Sequence, residues 1–152
     1  MTNLTHQWFL GLAEYYATAS KDPSTRVGCV IVNEDRVPVA MGFNGFPMGV
    51  ADTPERLNDR PTKIALTIHA EQNAFNFKVG SVKGCTLYST FAPCYEKCAP
   101  LIIQNRIKTV VFYTSDNPRW REGQAKAVDL FVEAGIEVIG IDPATREISF
   151  TS

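Results

Sequence analysis

The sequence predicts one α/β domain over residues 1–152, a three-layer α/β/α sandwich with a central mixed five-stranded sheet. Three observations lead there. Short β-branched runs, at residues 27–32 and 110–113, read as buried strands. Segments with apolar residues at helical spacing lie between such runs. The resulting order, α-β-β-α-β-α-β-α-β, places helices on the faces of one sheet.

The elements follow in order. Trp8, Phe9, Leu12, Tyr15, Tyr16 and Ala19 recur at helical spacing over residues 5–19, with Thr5 as the N-cap. Lys21, Asp22, Pro23 and Ser24 end that helix with a proline and turn formers. Residues 27–32 form a strand closed by Asn33, Glu34 and Asp35. Residues 37–43 are its partner, with Pro38 at an edge or a strand start. Residues 44–61 are rich in Gly, Pro and Asp and read as a long loop of the kind that carries function. Residues 64–77 form a helix that buries Ala65, Ile68, Ala70, Ala74 and Phe75. Residues 84–90 are a strand, and residues 98–105 a helix that Pro93 helps to open. Residues 108–114 are a buried strand, and residues 122–134 a helix capped by Gly135. Residues 136–141 make the fifth strand, with a short final one at residues 147–150.

Composition narrows the function. Apolar residues at 45% and charged residues at 20% are those of a globular chain, not a disordered one. Fifteen basic against sixteen acidic side chains leave a formal charge of -1, which gives little support to a grip on a polynucleotide. No apolar run approaches the roughly 18 residues of a membrane span. The first eight residues lack the basic start and apolar stretch of a secretory leader, so a cytoplasmic location is expected. Four cysteines then point to metal or catalysis before disulfides.

Two segments carry chemistry. One is His69-Ala70-Glu71, inside the helix predicted over residues 64–77. The other is Pro93-Cys94-Tyr95-Glu96-Lys97-Cys98, where a strand gives way to a helix. One imidazole and two thiolates supply three positions of a tetrahedral zinc and leave the fourth for water. Thiolate ligands favour zinc over magnesium or calcium. Glu71, two residues from His69, does not share its helical face and is not a fourth ligand. A carboxylate reaching over the metal can instead take a proton from water whose pKa zinc brings to about 7. Alone, His-x-Glu is common, and two cysteines near a helix start are often small buried residues. Together and in this order they indicate metal binding. The spare ligands are His6, Cys29 and Cys85. His6 is expected on the surface of the first helix, and the two cysteines in strands as core. An open, catalytic site is therefore expected rather than a closed structural one.

His-x-Glu followed by Pro-Cys-x-x-Cys is the signature of the zinc deaminases. Here three residues, not two, separate the cysteines. Positions i and i+4 still share a helical face, so both thiolates can point at one metal if the helix start shifts or bulges. Three further segments belong to the same pattern. They are Ser20-Lys21-Asp22-Pro23-Ser24-Thr25-Arg26-Val27-Gly28, Gly42-Phe43-Asn44-Gly45-Phe46-Pro47-Met48-Gly49 and Cys98-Ala99-Pro100-Leu101-Ile102-Ile103-Gln104. Over about residues 8–141 the chain resembles the cytidine deaminase-like superfamily, and within it the deoxycytidylate (dCMP) deaminases. Phe43 stands where that family has tyrosine, and Pro100 where it has lysine; a proline suits the first turn of a helix.

The resemblance implies a cytidine deaminase-like fold and hydrolytic deamination of dCMP to dUMP with release of ammonia, feeding thymidylate synthesis. It implies one Zn2+ per chain on His69, Cys94 and Cys98, and a water that attacks C4 of the base. Glu71 would carry the proton to N3 and then to the leaving amine. Backbone groups near Ala70 and Cys94 would hold the exocyclic amine and carbonyl. Asn44 matches the asparagine that contacts the sugar; its other reading is a turn residue before Gly45. The phosphate needs cations or backbone N–H groups, and Lys21, Ser24 and Arg26 share one loop. Arg26 is the first choice, because guanidinium grips phosphate in bidentate fashion; the other reading is a solvated loop. The resemblance also implies a homohexamer activated by dCTP and inhibited by dTTP. Asn44, Gly45 and Phe46 would help form the effector site, with Mg2+ accompanying the triphosphate. Phe46-Pro47-Met48 would pack on another subunit or on its own core. Arg119, Trp120 and Arg121 form a second cluster, in which Trp120 stacks on a base or covers the sheet edge.

Two rivals stand beside this reading. The same chemistry could act on 5-substituted dCMP, free cytidine, or a base in tRNA or single-stranded DNA. A polynucleotide would need a basic groove with stacking aromatics, and free cytidine would not need the Lys21/Arg26 loop. The second rival is a non-catalytic zinc-binding module, for which the carboxylate of Glu71 would have no use.

Overall fold

The β-branched run near the N-terminus becomes β1 (Gly28–Val32), and every residue of it is buried. Its alternate side chains enter different cores, as strand geometry requires. Cys29 and Ile31 join one cluster, Val30 and Val32 the other. A strand covered on both faces has no polar side, which is why the run is continuously apolar. The computed structural model describes the backbone of residues 3–152 and the side chains from His6 onward.

β2 (Pro38–Phe43) pairs antiparallel with β1. On its other side β1 pairs antiparallel with β3 (Thr86–Ser89), with Cys29 opposite Ser89. β3 then runs parallel to β4 (Thr109–Tyr113), and β4 parallel to β5 (Glu137–Ile141). The expected short final strand is β6 (Ile148–Thr151), antiparallel to β5. It brings the sheet to six strands, in the order β2-β1-β3-β4-β5-β6, where five were expected. Phe150 holds it in place. Its ring lies over Gly140, where a Cβ would come within 2.2 Å of the ring carbons.

α1 (Asn3–Ala17) covers one face of the sheet, with Phe9, Leu10 and Ala13 packed against Val30, Tyr88 and Val111. α4 (Ala70–Asn76), α5 (Cys98–Gln104) and α6 (Pro118–Glu133) contribute Ala74, Ile102 and Phe131 to the core on the other face. Both layers are thus present, as the order of elements predicted. Truncating a fully buried ring such as Phe112 in such a core removes about 3–5 kcal/mol. Gly135, with φ at 79°, follows α6 as the expected left-handed cap. Among the described residues no helix is long and apolar enough to cross a membrane.

Several local expectations are corrected. α1 begins at Asn3, so Thr5 lies within the helix and is not its N-cap. His6 is not a surface residue: it is 5% exposed, and its Nδ1 lies 2.9 Å from the Tyr88 hydroxyl. Residues 44–61 are not a plain loop, since they hold α2 (Pro54–Asn58) and the start of α3 (Arg60–Leu66). Their supposed loop formers are caps. Thr53 Oγ1 accepts from Arg56 N and Asp59 Oδ2 from Thr62 N, each ahead of a first-turn proline. The helix expected over residues 64–77 is broken at Thr67–His69, where Ile68 forms a two-way backbone bridge with Gly45. α6 starts at Pro118, four residues early, because Asn117 Oδ1 accepts from Arg119 N.

Candidate metal centre and active site

The break at Ile68 builds the site. It leaves His69 as the N-cap of α4 in extended conformation, and not inside a helix. Gln72 Oε1 accepts from His69 N at 2.8 Å, and Asn73 Nδ2 donates to Phe43 O at 2.8 Å, tying the helix start to the end of β2. Gly42 permits that contact: a Cβ there would lie 2.2 Å from the Ala70 carbonyl oxygen. The helix start is thereby seated directly on β2.

The cysteine segment follows β3. Cys94 O accepts from both Cys98 N at 3.1 Å and Ala99 N at 2.9 Å. The second bond spans five residues, so the extra residue is absorbed as one wide turn ahead of α5. Lys97 N reaches back to Cys94 Sγ at 3.3 Å. Pro100 falls in the first turn of α5, where its missing N–H removes no helical bond. The shifted helix start foreseen from the spacing is this turn.

The donor atoms of His69, Cys94 and Cys98 all lie within 4.8 Å of one another, and His69 Nδ1 is 3.3 Å from Cys98 Sγ. Tetrahedral zinc, with bonds of about 2.0–2.3 Å, needs ligand atoms roughly 3.5–3.8 Å apart, so an imidazole and two thiolates in this arrangement suit it. Cys29 and Cys85 are buried free thiols in or beside strands, as expected, and none of the four cysteines forms a disulfide. Burial and the Glu71 charge push the Cys29 thiol well up. Hydrogen bonding from Cys98, helped by His69 and the Lys97 N–H, holds Cys94 down to about 3 against the effect of burial. The same bond, with burial and Glu71, pushes Cys98 up. Its contact with Cys94 raises His69 above its ordinary value. The two sulfurs are thus pushed in opposite directions, Cys94 down and Cys98 up.

Glu71 is 3% exposed and lies beside the donor set. Its Oε2 lies 3.4 Å from Cys98 Sγ, and its Oε1 accepts from Ser89 Oγ at 2.6 Å. Ser89 was missed in the sequence, where one serine in an apolar strand carries no signal. The break before Ala70 did leave one: Gln72 three residues after His69 has the spacing of a capping box.

The remaining expected residues are dispersed. Asn44 is buried; its Oδ1 accepts from Val27 N and its Nδ2 donates to Thr25 O, both at 2.9 Å. One lone pair and one N–H remain free of those two bonds. Arg26 is exposed and lines a cleft of about 250 Å³ with Glu14, Ala17, Thr18 and Thr90, the last of these next to Ser89. Lys21 pairs with Asp52 at 3.1 Å on the surface. Ser24 is exposed and donates its N–H to Asp22. Ala70 is buried at the start of α4, Gly45 bridges Ile68, and Phe46 is half-buried beside an exposed Met48. Arg119, Trp120 and Arg121 lie on α6; the Trp120 ring sits edge-on to Phe91 and beneath the Arg119 guanidinium.

An imidazole and two thiols that could hold a metal, gathered past the carboxyl end of a strand in a mixed sheet with a buried carboxylate beside them, suit a metal-dependent hydrolase. Residues 4–114 match the family model of the cytidine and deoxycytidylate deaminase zinc-binding region, and the chain belongs to that family. A probable deoxycytidylate deaminase of Caenorhabditis elegans is 43% identical over 111 residues, covering 70% of this chain and 56% of that protein. The deoxycytidylate deaminase of Mus musculus is 42% identical over 148 residues, 93% of this chain and 82% of the mouse protein. In fold, the chain resembles the dCMP deaminase of cyanophage S-TIM5, solved with dCMP and dUMP. The TM-score is 0.74 at 23% identity, over 93% of this chain and 99% of the phage protein.

Proposed function

We propose that this chain hydrolyses dCMP to dUMP and ammonia, with zinc held by His69, Cys94 and Cys98 and with Glu71 as the proton carrier. The observation that carries the reading is the carboxylate of Glu71, buried and aimed by its Oε2 at Cys98 Sγ. A purely structural zinc site has no use for it. Bound zinc supplies a Lewis acid that makes water a competent nucleophile near neutral pH. Glu71 takes one proton from that water and delivers it to N3 of the base, where it stays. It then takes the second proton, from the new C4 hydroxyl, and delivers it to the amine, which leaves as ammonia as the C4 carbonyl forms. Backbone groups beside Ala70 and Cys94 hold the exocyclic amine and the carbonyl. The choice of dCMP is supported by the mouse relative at 42% identity. It is also supported by Arg26, which lines the cleft with Thr90 and carries a guanidinium suited to gripping phosphate. Asn44 would give its remaining N–H or lone pair to the sugar, Ser24 would assist, and Lys21 would add charge once released from Asp52.

The reading extends to regulation and place. Asn44, Gly45 and Phe46 in a family-like segment support an effector site for dCTP or dTTP with Mg2+, in a homohexamer. The exposed Met48 beside them is available for a subunit contact. Four free cysteines support a cytoplasmic protein, and its product would feed thymidylate synthesis.

The test is ammonia release by the purified, zinc-assayed protein with dCMP, CMP, deoxycytidine and 5-methyl-dCMP, each with and without dCTP. A clear preference for dCMP is expected. No release from any of the four, with one zinc per chain, would overturn the assignment.

A further inference from the structure

We propose that Ser89 is a positioning residue for Glu71, fixing which of its carboxylate oxygens faces the metal pocket. The inference rests on the reading of Glu71 as the proton carrier. Ser89 ends β3, is fully buried, and stands opposite Cys29 in the strand register. Its hydroxyl donates to Glu71 Oε1 at 2.6 Å, while Oε2 lies 3.4 Å from Cys98 Sγ. The two oxygens thus have different tasks.

A carboxylate oxygen accepts, and the Ser89 hydroxyl is a donor placed to meet it. Glutamate has three rotatable bonds, and nothing in the first turn of a helix fixes the outer ones. A buried hydroxyl anchored in a strand does so, and the bond is of the short, charge-assisted kind. With alanine at position 89, Oε1 would lose that buried donor. The side chain would then turn toward another partner and carry Oε2 away from the reacting atoms. Displacements of about 1 Å at a reacting group are enough to lower rates about a hundredfold.

The experiment compares Ser89→Ala and Ser89→Thr with the unaltered protein, all zinc-loaded. Ser89→Ala is expected to lower kcat about tenfold to a hundredfold with KM for dCMP nearly unchanged. Zinc content and Tm should stay close to those of the unaltered protein, and Ser89→Thr, which keeps the hydroxyl, should recover most of kcat. A crystal structure of zinc-loaded Ser89→Ala should show the Glu71 carboxylate rotated from its place. Unchanged kcat, or a loss of kcat that comes with loss of zinc, would overturn the proposal. If the unaltered protein releases no ammonia from dCMP, the functional reading fails by itself. The Ser89→Ala crystal structure then decides: a displaced carboxylate supports the positioning role, and one that stays in place refutes it.

Discussion

Lys63 Nζ lies 3.1 Å from Asp22 Oδ1, and the two side chains are only 11% and 10% exposed. The same carboxylate oxygen accepts from Ser24 N at 2.8 Å and Thr25 N at 3.0 Å. One buried pair thus pins α3 to the loop that carries Ser24 and Arg26. Burial pushes the Asp22 carboxyl up, but the N–H groups of Thr25 and Ser24, with Lys63, outweigh it and hold it low.

Lys63→Met should therefore destabilise the protein by about 3 kcal/mol, as breaking a buried pair does. Urea unfolding measures it; a change under about 0.5 kcal/mol would mean that the pair behaves like one on the surface. Because the Asp22 pKa is depressed, its contribution is present above the unfolded carboxylate value near 3.9 and fades as pH falls through the lower folded value.

His6 predicts a second, milder acid effect. Burial, the first cause, lowers its pKa below the ordinary value near 6.5. The folded state then binds fewer protons than the unfolded one. Stability is complete above about pH 6.5 and declines as pH falls toward the folded pKa. In thermal scans from pH 7.5 to 5, His6→Gln should flatten that decline. An equal slope in both proteins would remove His6 as its source.

Glu71→Gln keeps the shape and removes the proton carrier. The expected result is a fall in kcat of about 10² to 10⁴, with one zinc still bound per chain. Metal analysis beside the ammonia assay checks both. Activity within about tenfold of the unaltered protein would move the proton role to another group.

The parts of the fold set by local chemistry were legible in the sequence. β4 is an apolar run buried on both faces, and the cap at Gly135 needs a left-handed residue. The gathering of His69, Cys94 and Cys98 was legible for the same reason: few residue types can ligate zinc, and their order along the chain is distinctive. What was hidden depends on distant partners. Ile68 leaves helical conformation because Gly45 pairs with it, and His6 is buried because Tyr88, far along the chain, meets it. Thr53, Pro54, Asp59 and Pro61 favour loops and helix starts alike, and only the hydrogen bonds decide between the two.

Cys98→Ser should remove zinc and activity together, since the thiol lies 3.3 Å from His69 Nδ1 at the centre of the donor set. The bond with Cys94, with burial and Glu71, pushes the Cys98 thiol up in the unaltered protein. Cysteines bind zinc as thiolates, so zinc uptake should release protons and its affinity should weaken as pH falls. Titration calorimetry in two buffers of different ionisation enthalpy reads the number released. Zinc retained by Cys98→Ser would reassign the third ligand.

The Cys94 carbonyl, shared between Cys98 N and Ala99 N, has a consequence for how such motifs vary in length. What the turn preserves is the meeting of two sulfurs, not the count of residues between them. The wide turn takes up the added residue while the donor atoms stay within 4.8 Å of one another. On this geometry a change of one residue in the spacing should leave the donor set together. Deleting Glu96 should give a protein that still binds one zinc, with the carbonyl keeping a single helical partner.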